Sequence, residues 1–318
     1  MTDEPRKIIP IDDYRRGTPE PPPPAPFDED DEVELPEEHD ADLFDDGLDD
    51  DMTAFGQAER PQPGLWERVG DVHPGFTYGL VLLILVAFAT ELLTATVRGG
   101  DLWTGQSVPS PFVAAGAAAW GPFAAGEWWR LLSCVLLHAN ALHVGSNLLA
   151  LAVLGGVAER AYGHARFLVL FTVAGAFGSL SSLAHQASLA SAGQGLNAGS
   201  IGASGAVFGV GAAVVVAAVR MHGLLPAWRV RALIGATLPL LLSSFAAGFA
   251  RPGTDNAAHA GGALAGLVLG LALPFSPKLT QSAPEKPLAR GAWGAAGLLA
   301  ISALVACGVV AFERSLHL

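Results

Sequence analysis

The stretch "SIGASGAVFGVGAAVV", residues 200–215, places Ser204 at the start of a run of small and apolar residues without a charge. Such a run is apolar enough for a lipid bilayer, where polar groups are costly and are functional candidates by default. A single serine in a membrane helix usually hydrogen-bonds its own backbone. The role of the Ser204 hydroxyl therefore depends on whether other residues are placed to activate it.

Seven apolar segments are candidates for membrane-spanning helices, since about 20 apolar residues cross a bilayer as a helix. They are 76–97, 141–158, 167–184, 204–219, 232–250, 257–275 and 292–312. One acidic residue, Glu91, lies near the end of the first segment. The sequence therefore predicts an all-α polytopic membrane protein.

The N-terminal region differs sharply in charge from the rest of the chain. Of the 318 residues 51% are hydrophobic and 15% charged, and residues 1–60 hold 21 of the 30 Asp/Glu but only 5 of the 18 Lys/Arg. A segment with this much proline and like charge cannot bury enough apolar surface to offset its ordering entropy. We expect residues 1–65 to be a disordered acidic cytoplasmic tail. The tail lacks the apolar region of a signal peptide.

Basic residues predict the orientation, because Lys and Arg gather in cytoplasmic loops. Eight lie after the second, fourth and sixth segments: Arg160, Arg166, Arg220, Arg229, Arg231, Lys278, Lys286 and Arg290. The opposite side has four: Arg98, Arg130, Arg251 and Arg314. The N-terminus is expected in the cytoplasm and the C-terminus outside.

The connection between the first two segments, residues 98–140, is long and unusually apolar. Its tryptophans and Gly/Pro breaks predict a loop that lies in the membrane interface. The two cysteines, Cys134 and Cys307, are far apart and have no metal-ligand spacing. Neither a disulfide framework nor a metal site is indicated.

Four polar residues at similar predicted depth suggest a common chemistry. Ser204 and His259 begin segments that enter from the same outer side, and histidine is the usual base for a serine nucleophile. His143 and Asn147 are four residues apart on one helical face. The Asn147 amide and the Ser204 backbone N–H would be donors to an oxyanion.

Glycines favour a close approach of the fourth and sixth segments. Gly205 and Gly209 form a small-xxx-small pair, and Gly262 and Gly266 share one face with His259. Small residues let helix backbones pack tightly in lipid. This packing would bring the His259 imidazole within reach of the Ser204 hydroxyl.

No carboxylate is expected beside His259. Asp255 is assigned to the preceding loop, and Glu91 is distant in sequence. We therefore predict a Ser204–His259 dyad rather than a triad. Phe208, one turn after the serine, is the candidate for holding the imidazole by aromatic packing.

These motifs resemble those of the rhomboid family of intramembrane serine proteases over most of residues 75–275. "GASG" (202–205) is similar to the GxSG nucleophile motif and "AHAGGALAG" (258–266) to AHxxGxxxG. "HANALHVGSN" (138–147) is similar to HxxxxHxxxN, and "EWWR" (127–130) to the ExWR loop signature. Where some members have a tyrosine that packs on the histidine, this chain has Phe208.

The resemblance implies a role for each matched position. Ser204 would be the nucleophile and His259 the base, and His143 and Asn147 would stabilise the oxyanion. His138 would be structural or lie at the edge of the site. The remaining motif residues would be structural: Glu127, Trp129, Arg130, Gly202, Gly205, Gly262 and Gly266.

The implied protein is an endopeptidase that cleaves single-span membrane proteins near the outer face of the bilayer. A six-helix core would span 70–275, and 276–318 would add a linker and a seventh helix. The implied partners are transmembrane substrates and the lipid bilayer, with no metal, cofactor or nucleic acid. The expected location is a bacterial inner (plasma) membrane, and the oligomeric state stays open.

Two other classes of function compete with this interpretation. An inactive relative would bind membrane clients without cutting them, and loss of the serine or the histidine would favour it. A transporter or channel would use membrane His and Asn residues as a pathway, and an internal repeat or charged residues within the spans would favour it.

Overall fold

The computed structural model describes residues 73–97, 111–194, 199–251, 253–276 and 285–317, without the side chains of 111–113. The predicted acidic tail, the first part of the predicted interfacial loop and most of the predicted linker before the seventh helix lie outside these residues.

The described residues form helices joined by short connections. They are α1 (Gly75–Val97), α2 (Pro111–Gly116), α3 (Trp120–Ala124), α4 (Arg130–Leu136), α5 (Ala141–Tyr162), α6 (His164–Ser191), α7 (Ser204–Arg220), α8 (Ala227–Ala250), α9 (Asn256–Ala272) and α10 (Pro287–Ser315). One π-helical turn, Leu151–Gly155, interrupts the α-helical geometry of α5.

Each of the seven predicted spans coincides with one of these helices, and the all-α fold class is confirmed. Five of them, namely α1, α5, α6, α8 and α10, are long and apolar enough to cross a membrane. The other two, α7 and α9, have 17 residues each. At about 1.5 Å per residue they are shorter than the roughly 30 Å hydrocarbon core. The count of seven crossings therefore stays a prediction.

The sixth predicted span, 257–275, is too long at its C-terminal end. The helix α9 stops at Ala272, and Leu273 is extended with φ −72° and ψ 133°. Leu273 precedes Pro274, and the proline ring disfavours a helical conformation of the residue before it. The Arg220 guanidinium donates to the carbonyl oxygens of Gly270 and Leu273 at 2.6 and 2.8 Å and so caps the helix end.

The described part of the loop between α1 and α5 folds into three short helices, α2 to α4. The Arg130 side chain organises this loop, because it pairs with Glu127 at 2.6 Å and donates to the carbonyl oxygens of Ala114 and Ala117 at 3.0 and 2.8 Å. Ala118 then exchanges two backbone hydrogen bonds with Ser200, just before α7. The loop is thereby attached to the segment that leads into Ser204.

The backbones of α7 and α9 touch each other where glycines face glycines. A Cβ atom built on Gly262 would lie 1.9 Å from the Gly205 carbonyl oxygen, and one built on Gly266 would lie 1.9 Å from that of Gly209. Neither position has room for a side chain. The close approach predicted from the glycine pattern is therefore present.

The last helix, α10, is fastened to the rest of the chain near both ends. Near its start, Glu285 pairs with the buried Arg166 of α6, whose guanidinium lies 5.0 Å from the ring centroid of Trp293. At its other end, the Arg314 guanidinium lies 5.3 Å from the ring of Trp129 in the interfacial loop.

The glycine contact predicts a large loss of stability for Gly266→Ala. The new methyl group has to force α7 and α9 apart, and overpacking of this kind costs about 1–3 kcal/mol or more. Thermal unfolding in detergent should show a clearly lower midpoint than that of the wild type.

Gly235→Ala is the matched control, because Gly235 is also helical and a Cβ atom there would meet no atom within 4 Å. Its midpoint should equal or exceed that of the wild type. Equal midpoints for the two variants would contradict the close backbone contact.

Candidate active site

Ser204 and His259 meet across the contact between α7 and α9. Ser204 is the first residue of α7 and His259 is the fourth of α9. The Ser204 Oγ lies 2.9 Å from the His259 Nε2, which is hydrogen-bond distance. Both helices begin at this end of the bundle, and their short separation lets the two side chains span the gap.

The imidazole of His259 is held on one face by Phe208. The two rings are stacked with centroids 4.2 Å apart and planes inclined by 10°. Phe208 in turn packs edge to face on Phe245 of α8, at 6.5 Å between centroids. The sequence predicted the first of these contacts and gave no sign of the second.

Asn256 lies next to the second ring nitrogen of His259, Nδ1. The sequence predicted no role for this residue. Its Oδ1 is 3.3 Å from the His259 Nδ1, and its Nδ2 donates to the carbonyl oxygen of Phe245 at 3.2 Å. The nearest acidic residue, Asp255, accepts from the backbone N–H of Ala258 at 2.9 Å and caps α9. The only signal in the sequence is that Asn256 precedes the histidine by three residues, on the same helical face.

His143 and Asn147 lie around Gly202, two residues before the serine. A Cβ atom on Gly202 would lie 2.7 Å from the His143 Nε2 and 3.5 Å from the Asn147 Nδ2. The Asn147 Nδ2 is buried and has no hydrogen-bond partner among the described residues. The backbone N–H of Ala139 donates to the His143 Nδ1 at 3.4 Å. A neutral His143 therefore carries its proton on Nε2, beside Gly202.

His138 hydrogen-bonds the backbone of the segment before Ser204. Its Nδ1 lies 3.2 Å from the carbonyl oxygen of Leu136, and its Nε2 accepts from the backbone N–H of Ala203 at 3.3 Å. The carboxylate of Glu91, fully buried in α1, accepts from the His138 backbone N–H at 3.1 and 3.2 Å. His138 and Glu91 thus act on the backbone near the serine, and no hydrogen bond joins either of them to the described atoms of the Ser204–His259 pair.

The other motif residues lie outside the pair and shape its surroundings. Glu127, Trp129 and Arg130 belong to the interfacial loop, and Gly205, Gly262 and Gly266 form the helix contact. Among the described residues, no group of three or more His, Cys, Asp or Glu is arranged to hold a metal ion. At Ser204 the geometry is that of a hydroxyl within hydrogen-bond distance of an imidazole, close to the buried Asn147 Nδ2, which has no acceptor among the described residues.

Comparison with known proteins points to the same family as the motifs. Residues 125–274 match the family model described as a rhomboid domain. Rhomboid protease GluP of Bacillus subtilis (strain 168) is 33% identical over 201 residues, which is 63% of this chain and 35% of GluP. The chain carries a rhomboid domain in residues 125–274.

Two further rhomboid relatives are similar to this chain over about half of its length or more. RHOMBOID-like protein 2 of Arabidopsis thaliana is 38% identical over 156 residues, 48% of this chain and 44% of its own length. Rhomboid protease AarA of Providencia stuartii is 29% identical over 220 residues, 63% of this chain and 73% of AarA. The chain thus spans less than half the length of GluP and of the plant relative. The family and the five long apolar helices make the chain an integral multi-pass membrane protein.

The position of Gly202 beside the donors predicts that this rhomboid protein will not tolerate a side chain there. In Gly202→Ala, the methyl group would fill the space beside His143 and Asn147, which the sequence predicts to be the oxyanion site. We expect Ser204 to react with a fluorophosphonate probe at least about 10-fold more slowly. Loss of a single oxyanion donor typically lowers a rate by about 10²–10³, so this expected effect is a lower bound.

Gly223→Ala controls for backbone strain. Gly202 and Gly223 both have a positive φ, 119° and 91°, but a Cβ atom on Gly223 meets nothing within 4 Å. Labelling of this control should match that of the wild type. If both variants lose reactivity equally, the loss comes from strain, and the assignment of the space beside Gly202 fails.

Proposed function

We propose that the protein is a serine endopeptidase that cleaves single-span membrane proteins near the outer face of the bilayer with a Ser204–His259 dyad. The observation that carries the proposal is the 2.9 Å distance between the Ser204 Oγ and the His259 Nε2. The rhomboid domain match, and similarity to a relative named Rhomboid-type serine protease 2, support the same class of reaction.

In the first half of the reaction, His259 takes the hydroxyl proton as the Ser204 Oγ attacks the carbonyl carbon of the scissile bond. The tetrahedral intermediate then collapses, the C–N bond breaks, and the imidazolium gives its proton to the leaving amine. In the second half, His259 takes a proton from a water molecule that attacks the acyl-enzyme. The second tetrahedral intermediate collapses, the ester C–O bond to Ser204 breaks, and the imidazolium returns its proton to the Ser204 Oγ as the new carboxyl terminus leaves.

The negative oxygen of each tetrahedral intermediate needs donors that are in place before the reaction. The Asn147 Nδ2 and the His143 Nε2–H beside Gly202 would supply two of them. A third would be the Ser204 backbone N–H, since the first N–H groups of a helix have no intrahelical acceptor. Removing one such donor typically costs about 10²–10³ in rate.

The depth of the site follows from the short helices and the proposed orientation. With the N-terminus in the cytoplasm, α5, α7 and α9 begin at the outer side of a plasma membrane. Helices α7 and α9 are too short to cover the full hydrocarbon core, so the serine would lie below the outer surface. A substrate helix would enter from the side and unwind there, because a protease needs an extended backbone.

In this proposal, residues 70–275 form the six-helix protease core that carries the catalytic residues. The acidic residues 1–65 would be a cytoplasmic tail, and 276–318 would add the linker and a seventh span. The predicted loop 251–256, which ends at the first residue of α9, and the interfacial loop would form the rim of a cavity through which water reaches Ser204.

The proposal predicts that the full-length protein in liposomes cuts model single-span substrates near their outer membrane boundary. Ser204→Ala and His259→Ala should each lower the cleavage rate by at least about 10³-fold, because nucleophile and base act as a unit. Mass spectrometry of the fragments gives the cut position, and substrates with a helix-breaking residue at that position should be cut faster.

Ser243→Ala and His185→Ala are the control variants, since both side chains are exposed and lie outside the site. They should cleave at the wild-type rate. Cleavage that survives Ser204→Ala would refute the dyad. A wild type that binds the substrates but neither cuts them nor reacts with a serine probe would support the client-binding function.

A further inference from the structure

The two ring nitrogens of His259 face different partners. Nε2 faces the Ser204 Oγ at 2.9 Å, and Nδ1 faces the Asn256 Oδ1 at 3.3 Å. A neutral imidazole carries one proton, on one of its two nitrogens. An amide oxygen only accepts, so this contact favours the proton on Nδ1. The lone pair is then on Nε2, where a base for Ser204 requires it.

The orientation of the Asn256 amide is fixed by a different helix. Its Nδ2 donates to the carbonyl oxygen of Phe245 in α8 at 3.2 Å. A flipped amide would put its oxygen against that carbonyl oxygen and its NH₂ against the Nδ1–H. Both contacts would then be repulsive. The bond to Phe245 therefore keeps the amide oxygen directed at His259.

Packing against α8 restrains the same side chain. A Cβ atom built on Gly248 would lie 2.2 Å from the Asn256 Oδ1 and 2.9 Å from its Cγ. The amide fits beside α8 only because residue 248 has no side chain. Since Phe245 also packs on Phe208, both supports of the imidazole rest on one residue of α8.

We propose that Asn256 is a positioning residue for His259, which fixes the tautomer and the orientation of the base. The role rests on the proposed protease function, and it takes the place that a carboxylate occupies in a triad. Asp255 does not compete for it, because its side chain caps the first turn of α9. A neutral amide does this without placing a further charge among apolar helices, where an ionised group is costly.

Kinetics of three variants test the role in catalysis. Asn256→Ala should lower kcat by about 10- to 100-fold, a part of the effect of general base catalysis, with KM changed less than 2-fold. Asn256→Asp keeps an acceptor for Nδ1–H and should recover at least a third of the wild-type kcat. Gly248→Ala leaves Asn256 in the chain but displaces its amide, and should lower kcat as Asn256→Ala does.

Gly235→Ala, on the same helix in open space, is the control and should match the wild type. Thermal unfolding midpoints identify any variant that fails to fold. If folded Asn256→Ala keeps the wild-type kcat, or if Asn256→Asp is as slow as Asn256→Ala, the proposal is wrong.

A tautomer measurement separates this proposal from the protease function, since it needs no substrate. Nitrogen-15 NMR of histidine-labelled protein in liposomes, with the His259 signals identified by their loss in His259→Gln, should show the proton on Nδ1 in the wild type. Asn256→Ala should show a mixture of tautomers. A proton on Nε2 in the wild type, or an unchanged Nδ1–H signal in Asn256→Ala, would overturn the role of Asn256 even if the protein is a protease.

Discussion

The contact between the backbones of α7 and α9 is the constraint on which the site depends. A hydroxyl and an imidazole on two different helices reach each other at 2.9 Å only when the helix axes are unusually close. Glycine inside a helix is unfavourable by about 1 kcal/mol relative to alanine. That cost is offset here because Gly262 and Gly266 lie directly against the carbonyl groups of α7. In lipid, where apolar side chains gain little from each other, such close packing is what joins helices.

A second principle organises the residues around the pair, namely that buried polar groups need partners. Glu91 accepts from the backbone of His138, and His138 accepts from the backbone of Ala203. These bonds connect α1 to the segment that carries the serine. The buried Asn147 Nδ2 has no partner in the described part of the chain. An unpaired donor close to Ser204 is what we expect of a group that binds only a transient negative charge.

The sequence predicted those features that depend on local pattern. Apolar runs predicted the helices, and the position of Ser204 and His259 at the starts of their segments predicted that the two side chains lie close together. Glycine spacing predicted the helix contact. Each of these depends on periodicity or on position within one segment. Residues 125–274 also match the domain of the family that the motifs resemble.

The features that were missed depend on which helices lie side by side. Asn256 gains its role from the carbonyl group of Phe245, 11 residues earlier in another helix. Glu91 is distant in sequence from the site, yet its carboxylate accepts a hydrogen bond from the backbone of His138, 47 residues away. The apolar run 257–275 includes Pro274 and therefore extends past the end of α9. The sequence of a single segment does not indicate which other helix will pack against it.

The measurement that tests the central claim most directly is the mapping of covalent labelling. Full-length protein in liposomes is treated with a fluorophosphonate, digested and analysed by mass spectrometry. The account predicts a single modified serine, Ser204, and little or no labelling of it in His259→Ala, because the hydroxyl reacts only with its base in contact. Labelling of a different serine, or equal labelling of Ser204 with and without His259, would contradict the assignment of the pair as an activated nucleophile and its base.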